Sequence, residues 1–285
     1  MPPAPRKMLL ARKKKPPAPR NKDSAMAGLG YRAEMAAWDM SAVDADFFEV
    51  APENWIRRDR SPLYALRDAG REIKLHGVSL SLGGQAPIQP AFLYALRELI
   101  TDLGTQHYSD HLAASGDAHQ LYDLFPIPFT SSEVTRISDR IKQVQDILGM
   151  PMAVENTTYY TNIGEMSEVE FLMQVVEQAD CQILLDINNI AVNHKNHHAS
   201  DLPQFLAQVD MQRVSYMHVA GHEFDERFGL YIDTHSQPVE PSTRHVALDL
   251  HQKHAIPILL EWDHDLPGLH DINQELACLK TSIST

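Results

Sequence analysis

From Ala25 onward the sequence alternates short apolar runs with helical patterns, and it does so eight times with no Pro/Gly/Ser-rich break long enough to begin a second domain. The runs are "AMAGLGYR", "DFFEVAP", "EIKLHGV", "QHYSDHLA", "PMAVENTT", "QILLDIN", "RVSYMHVAG" and "IPILLEWD". Runs so short and so continuously apolar read as strands buried on both faces, the mark of a parallel sheet. Between them, "PAFLYALRELITDLG" repeats Phe92, Leu96, Leu99 and Leu103 at helical spacing and stops at Gly104. "SSEVTRISDRIKQVQDILG" does the same with Ile137, Ile141, Val144 and Leu148; Ser131 or Ser132 is expected to cap its start and Gly149 to end it. Further helices are expected after Met166, Leu202, Ser242 and Leu269.

An open doubly wound sheet also alternates strands with helices. Eight repeats in 285 residues favour a single (β/α)8 TIM barrel instead, an α/β fold that commonly occupies ~250 residues. The "GLG" at Gly28 to Gly30 lacks the remaining glycine of a dinucleotide fingerprint, which argues further against the open sheet.

The first 22 residues stand apart from this pattern: they hold eight Lys or Arg, no acid and repeated prolines. Residues 1–24 are therefore expected to be a basic, Pro-rich disordered arm, and residues 25–285 the barrel domain. Taking those eight from the 25 Lys and Arg leaves 17 against 38 acidic residues, a balance of −21 for the body. Such a body repels a phosphate backbone unless a basic groove or bound metal compensates, so no nucleic-acid partner is expected. The arm lacks the apolar centre of a secretory signal, and no stretch approaches the ~20 apolar residues needed to span a bilayer. The expectation is a cytoplasmic protein with no membrane partner. Cys181 and Cys278 cannot form a disulfide framework and lack metal-ligand spacing, so both read as small buried hydrophobes.

The chemistry gathers where the strands end. "KLHG" ends on His76, "YSDHL" on Asp110 and His111, "AVENT" on Glu155, "LLDIN" on Asp186, "YMHVAGH" on His218 and His222, and "LLEWDHD" on Glu261 and Asp263. A further apolar piece, "LYIDTHS", leads to Asp233 and His235. In a parallel barrel all strand C-termini open on one face. Any one of these residues is explained as a helix cap or a hydrogen-bonded core histidine. Together they pack so many carboxylates at one mouth that mutual repulsion would raise their pKa values and destabilise the fold, a conflict that bound metal resolves. His, Asp and Glu without Cys suit zinc, iron or manganese, and the donors outnumber what one ion can use. Asp186 and Asn189 are three apart, and Asp233 and His235 two apart, which on extended backbone puts both on one side. The "NHKNHH" stretch, with His194, His197 and His198, lacks a strand to hold it and reads as a solvated loop, while Asn188 is expected only to shape a turn.

The motifs "HGVSLSLGG", "YSDHLAASG", "LYDLFPIPFT", "VENTTYY", "ILLDINNI", "HVAGH", "IDTHSQPV" and "LLEWDHDLP", in this order and spacing, resemble the multinuclear non-haem iron-dependent oxidative enzymes, the family of the methanobactin-biosynthesis oxidase. The likeness runs from about Gly28 to about Leu279. One departure is "RHVALDL", where many relatives carry a Trp-containing stretch; it falls on an expected helix and touches no expected ligand.

The resemblance implies a xylose isomerase-like barrel holding two to three iron ions, mixed Fe(II) and Fe(III), with O2 as co-substrate. It implies a first iron on His76, Glu155 and a ligand from the Asp110–His111 pair, with His111 preferred and Asp110 behind it orienting a histidine. It implies that Glu155 bridges to a second iron completed by Asp186, His218 and Glu261, and that Asn189, Asp233 and His235 hold a third. Glu155, Asp186, His218 and Glu261 are then the catalytic set, with Glu53, Asn54, Tyr159, His222 and Asp263 as candidates to line the substrate cleft. The implied activity is oxidation of a side chain, expected to be a cysteine, of a ribosomally synthesised precursor peptide, presented by a separate recognition partner. Metal would lower the thiol's pKa and fix its carbon close to the oxidant, turning an encounter into an intramolecular step.

The alternative is a trinuclear zinc phosphodiesterase of the endonuclease IV type, which shares the metal layout but meets the acidic body and the lack of interleaved basic and aromatic residues. A sugar isomerase would need a Lys-bearing sugar site that the sequence does not display. A non-enzymatic binding module would not need so many ionisable groups at one mouth.

Overall fold

Residues 25–116, 123–161, 164–198 and 201–281 are described by a computed structural model; the expectation of a disordered arm at 1–24 lies outside them. Each apolar run forms a strand shorter than the run that encodes it. In chain order these are β1 (Ala27–Gly30), β2 (Phe47–Val50), β3 (Glu72–Gly77), β4 (Tyr108–His111), β5 (Ala153–Glu155), β6 (Gln182–Asp186) and β7 (Val214–Val219). A hairpin of β8 (Glu223–Asp225) and β9 (Leu230–Ile232) follows, and then the last barrel strand, β10 (Ile258–Leu260). β1 to β7 pair in parallel in sequence order; β10 pairs with β7 and closes the ring on β1, with Ala27 opposite Ile258. The expected (β/α)8 barrel is therefore the fold.

The helices are α1 (Ser61–Asp68), α2 (Pro90–Leu103), α3 (Ser131–Leu148), α4 (Glu168–Ala179), α5 (Ile187–His197), α6 (Leu202–Leu206), α7 (Pro241–His254) and α8 (Leu269–Lys280). α2 ends on Gly104 at φ 69°, a left-handed position that suits glycine. The cap of α3 is Thr130, not Ser131 or Ser132: Thr130 keeps extended dihedrals and its hydroxyl accepts from the Glu133 amide at 3.4 Å. α5 occupies the stretch expected to be a solvated loop. Its asparagines and β-branched residues are poor helix formers, yet Asp186 caps its start and Ile187 to Asn193 are buried, so tertiary packing overrides local preference.

The strand period of two sets the interior. Phe47, Ala153, Leu184, Tyr216 and Leu259 form an apolar plug separate from the larger core between strands and helices. Gly28 has no side chain here because a Cβ would run into the Phe47 ring. Lys74 joins the plug, its ammonium 5.1 Å from the ring centroids of both Phe47 and Tyr216. Two residues further along the same strands stand Glu49, His76, Glu155, Asp186, His218 and Glu261, all buried. One layer of the barrel is apolar but for Lys74 and the Tyr216 hydroxyl; the next is ionisable.

Candidate metal centre

The ionisable layer opens into a cavity of about 200 Å³ whose walls include Arg32, Glu49, His76, Glu155, Asn189 and Asp233. Glu155 stands at its centre and divides its two oxygens. Oε2 lies 3.1 Å from His76 Nε2 and 3.3 Å from His111 Nε2. Oε1 lies 3.3 Å from His218 Nδ1, which is also 3.0 Å from Glu261 Oε2 and 3.9 Å from Asp186 Oδ2. Beyond Glu261, His235 places Nε2 2.8 Å from Asp233 Oδ1 and Nδ1 3.0 Å from Asp263 Oδ2.

Each histidine commits one nitrogen to the protein. His76 Nδ1 meets Ser109 Oγ at 2.9 Å, His111 Nδ1 meets the Gly77 carbonyl at 3.1 Å, His218 Nε2 meets Glu49 Oε2 at 2.8 Å, and His235 Nδ1 meets Asp263. The other nitrogen of each points to the shared centre. Supported rings with one nitrogen turned to a carboxylate cluster are how metal-ligating histidines are held.

Several buried atoms have no aligned hydrogen-bond partner among the described residues: Glu155 Oε2, Asp186 Oδ2, Asn189 Oδ1, His218 Nδ1 and His235 Nε2. Carboxylate oxygens crowd around the two ring nitrogens at ion-pair distance but without hydrogen-bond alignment. Unsatisfied buried polar atoms carry a large desolvation cost. An oxygen and nitrogen donor set converging in this way fits divalent transition metal ions. Three donor groups lie close enough for such ions: His76, His111 and Glu155; Glu155, Asp186, His218 and Glu261; and His235, Glu261 and Asp263.

The electrostatics refine the expectation that the carboxylates repel one another. Burial drives Asp186 well above the usual carboxylate range, and the charges of Glu155 and Asp233 push the same way. Burial would raise Glu155 and Glu261 too, but His111, His76 and His218 around the first, and His218 and His235 beside the second, hold both below that range. Burial disfavours charge on His76, yet Glu155 and Glu49 raise it to about 9. The carboxylates thus favour the cationic form of His76, His218 and His235, while burial disfavours it at His111, and protons compete with metal for the same nitrogen atoms.

Some expected residues stand elsewhere. Asp110 is turned away from the cavity: Oδ2 accepts from Tyr108 Oη at 3.0 Å and from the Leu80 amide at 3.2 Å, and Oδ1 from the His111 amide at 2.8 Å. It holds the loop after β3 and orients no histidine ring. Glu53 does similar work, its Oε1 accepting from the Val78 and Ser79 amides and the Ser79 hydroxyl. Asn54 is exposed, and Tyr159 is buried under the His197 ring, stacked at 4.7 Å. Neither they nor His222 line the cavity; Asp263 does, paired with Arg32. Asn188 does more than shape a turn: it donates to Asp233 Oδ1 at 2.6 Å and accepts from His222 Nδ1 at 2.7 Å. His222 Nε2 in turn accepts from Lys195 of the supposed loop at 2.6 Å.

Sequence reasoning missed Glu49 and Arg32. Arg32, on the loop after β1, reaches Glu261 Oε1 at 3.2 Å and also contacts Asp263. Glu49 had a signal: "F-x-E" at Phe47 and Glu49 repeats the step of "L-x-D" at Leu184 and "L-x-E" at Leu259.

Comparison with known proteins adds a family, a relative and two solved structures. The profile of a family described as "RiPP precursor modification enzyme MbnB/TglH/ChrH" matches residues 26–284. A protein of Shewanella loihica, described only as "UPF0276 protein", is 42% identical over 260 residues, covering 88% of this chain and 92% of that one. Among solved structures, the 3-keto-D-glucoside 4-epimerase YcjR of E. coli superposes with a TM-score of 0.62 at 13% identity, covering 90% of this chain and 98% of that one. A xylose isomerase-like TIM barrel protein of Mycobacterium smegmatis does so with a TM-score of 0.50 at 14% identity, covering 83% and 85%. At such identities these two likenesses speak for the fold alone.

Proposed function

The chain belongs to the family of RiPP precursor modification enzymes described as MbnB/TglH/ChrH, and from that premise we propose that it is an iron- and O2-dependent oxidase acting on a side chain, the cysteine, of a ribosomally synthesised precursor peptide. The observation that carries the reading is the divided carboxylate of Glu155, one oxygen facing His76 and His111 and the other His218, which is the geometry of a bridge between two ions. In this reading His76, His111 and Glu155 hold one iron, and Glu155, Asp186, His218 and Glu261 a second. Asn189, Asp233 and His235 hold a third.

Iron bound there supplies one-electron chemistry with O2 and lowers the pKa of a thiol brought to it. The protein's own residues supply the rest. Ser109, Gly77, Glu49 and Asp263 orient the four rings, and Arg32 ties Glu261 to Asp263 at the rim. The cavity of about 200 Å³ is smaller than the ~300–1,000 Å³ typical of sites that enclose a whole small molecule, which favours a side chain presented from outside over a free sugar. A separate peptide-recognition protein is assigned to that presentation.

The test is mass spectrometry of cysteine-containing precursor peptides incubated aerobically with the iron-loaded protein. A change in mass localised to a cysteine, absent without O2, is the expected outcome; peptides left intact with every recognition partner supplied would refute the reading.

A further inference from the structure

Beneath the metal-facing atoms a hydrogen-bond chain runs from one histidine to another. His76 Nδ1 meets Ser109 Oγ at 2.9 Å, and Ser109 Oγ lies 3.0 Å from Tyr216 Oη. Tyr216 Oη donates to Glu49 Oε2 at 2.6 Å, and the same oxygen faces His218 Nε2 at 2.8 Å. All five side chains are buried, each no more than 4% exposed.

The protons in this chain can be assigned by elimination. Glu49 as a carboxylate only accepts, so His218 carries a proton on Nε2 and Tyr216 spends its single proton on Glu49. The Ser109 hydroxyl then gives its proton to Tyr216 Oη or to the Leu75 carbonyl, 3.4 Å away, and has none for His76. His76 must therefore donate from Nδ1. In the neutral form that binds metal the two histidines are therefore held in opposite tautomers, which leaves His76 Nε2 and His218 Nδ1 facing the two oxygens of Glu155.

We propose that Glu49, Tyr216 and Ser109 form one positioning relay that fixes the tautomers of His76 and His218 from below, and that the charge of Glu49 strengthens His218 as a metal donor. The proposal rests on the metal-centre reading of the barrel mouth. It gives the buried Tyr216 hydroxyl, which an apolar plug does not need, a purpose: it links the carboxylate under one ring to the serine under the other. A carboxylate behind a ligating imidazole raises the ring's basicity, and losing such a partner typically costs ~10–100-fold in metal affinity.

The experiment uses zinc as a diamagnetic probe and nitrogen-15 histidine NMR of the zinc-loaded full chain. Protons on His218 Nε2 and His76 Nδ1 are expected; the opposite assignment at either ring overturns the relay. Glu49→Gln, which preserves shape and removes charge, is expected to weaken one zinc ion ~10–100-fold. Ser109→Ala is expected to loosen only the ion at His76 and to blur that ring's tautomer while His218 keeps its own. Should Glu49→Gln fail to fold, Ser109→Ala decides alone. Wild-type affinity and tautomers in the variants overturn the relay while the metal reading stands. A wild-type chain that binds neither zinc nor iron refutes both.

Discussion

His235 turns Nδ1 onto Oδ2 of Asp263 at 3.0 Å, and this contact aims its Nε2 at Asp233, 2.8 Å away. The orphaned atoms on that side are His235 Nε2 and Asn189 Oδ1, not His235 Nδ1. Under the proposed function a third ion is assigned to Asn189, Asp233 and His235, with Asp263 acting through the ring. Asp263→Asn, which keeps an acceptor for Nδ1–H, is expected to retain the third ion, whereas Asp263→Ala weakens it ~10–100-fold. Metal titration of the two variants checks this; equal loss in both makes Asp263 a ligand itself.

In the proposed centre Glu155 and Asp186 share the dinuclear core, and Asn189 contributes only a neutral amide oxygen at its edge. Glu155→Ala and Asp186→Ala are expected to abolish binding of the ion pair, and Asn189→Ala to deplete one ion while the pair remains. Elemental analysis of the purified variants separates the cases, and equal metal loss from all three would contradict the division of the cluster.

The Asp110–His111 pair makes a sharper contrast. His111 turns Nε2 to Glu155, while burial and the neighbouring Glu53 raise the Asp110 carboxyl to about 7 in a pocket closed by Tyr108 and Leu80. Gly77 leaves room for it, since a Cβ there would collide with Asp110 and Tyr108. His111→Ala is expected to lose the first ion while the metal-free fold keeps its thermal stability. Asp110→Ala is expected to keep the metal count and destabilise the fold by ~1–3 kcal/mol, as when a buried hydrogen-bonded group is removed. Calorimetry paired with metal analysis reads both.

Glu168 predicts a pH dependence away from the centre. Burial lifts its carboxyl from 4.5 to about 8, partly offset by the hydrogen bond from Asn193. An acid with a folded-state pKa above its unfolded value binds more protons when folded, so its penalty is absent below about 4.5 and grows as pH rises to about 8. Glu168→Gln is expected to gain stability over the wild type progressively across that window and to show no further gain above it. Urea midpoints for both proteins at several pH values give the difference directly; parallel curves would contradict it.

The barrel was legible because its strands are continuous apolar runs, and most of the site was legible because ligands stand where those runs stop. Glu49 was hidden because it lies inside its run, between Phe48 and Val50, where a carboxylate reads as an interruption and attention moves to Glu53 beyond the strand. Asp233 and His235 do meet, but not through the period of a strand. The backbone is not extended there: His235 sits at φ 48°, its amide bonded to the Gly221 carbonyl at 3.1 Å, and a Cβ on Gly221 would strike the Gln237 backbone. The stretch from Ile187 to His197 resisted reading because its helix is held by burial and by the Asp186 cap rather than by its own residues. Asp186 proves to be both things a strand-end aspartate can be: Oδ1 caps α5, and Oδ2 stands unpaired at the centre.

The proposed function stands or falls on whether this cluster holds redox metal for peptide oxidation. Elemental analysis of protein purified without oxygen, with O2 uptake recorded on the same sample, tests it most directly. Up to three irons per chain are expected, two on the donor groups that share Glu155 and one at His235, with O2 uptake only when a thiol peptide is present. Tightly bound zinc with cleavage of abasic DNA and no O2 uptake would contradict it.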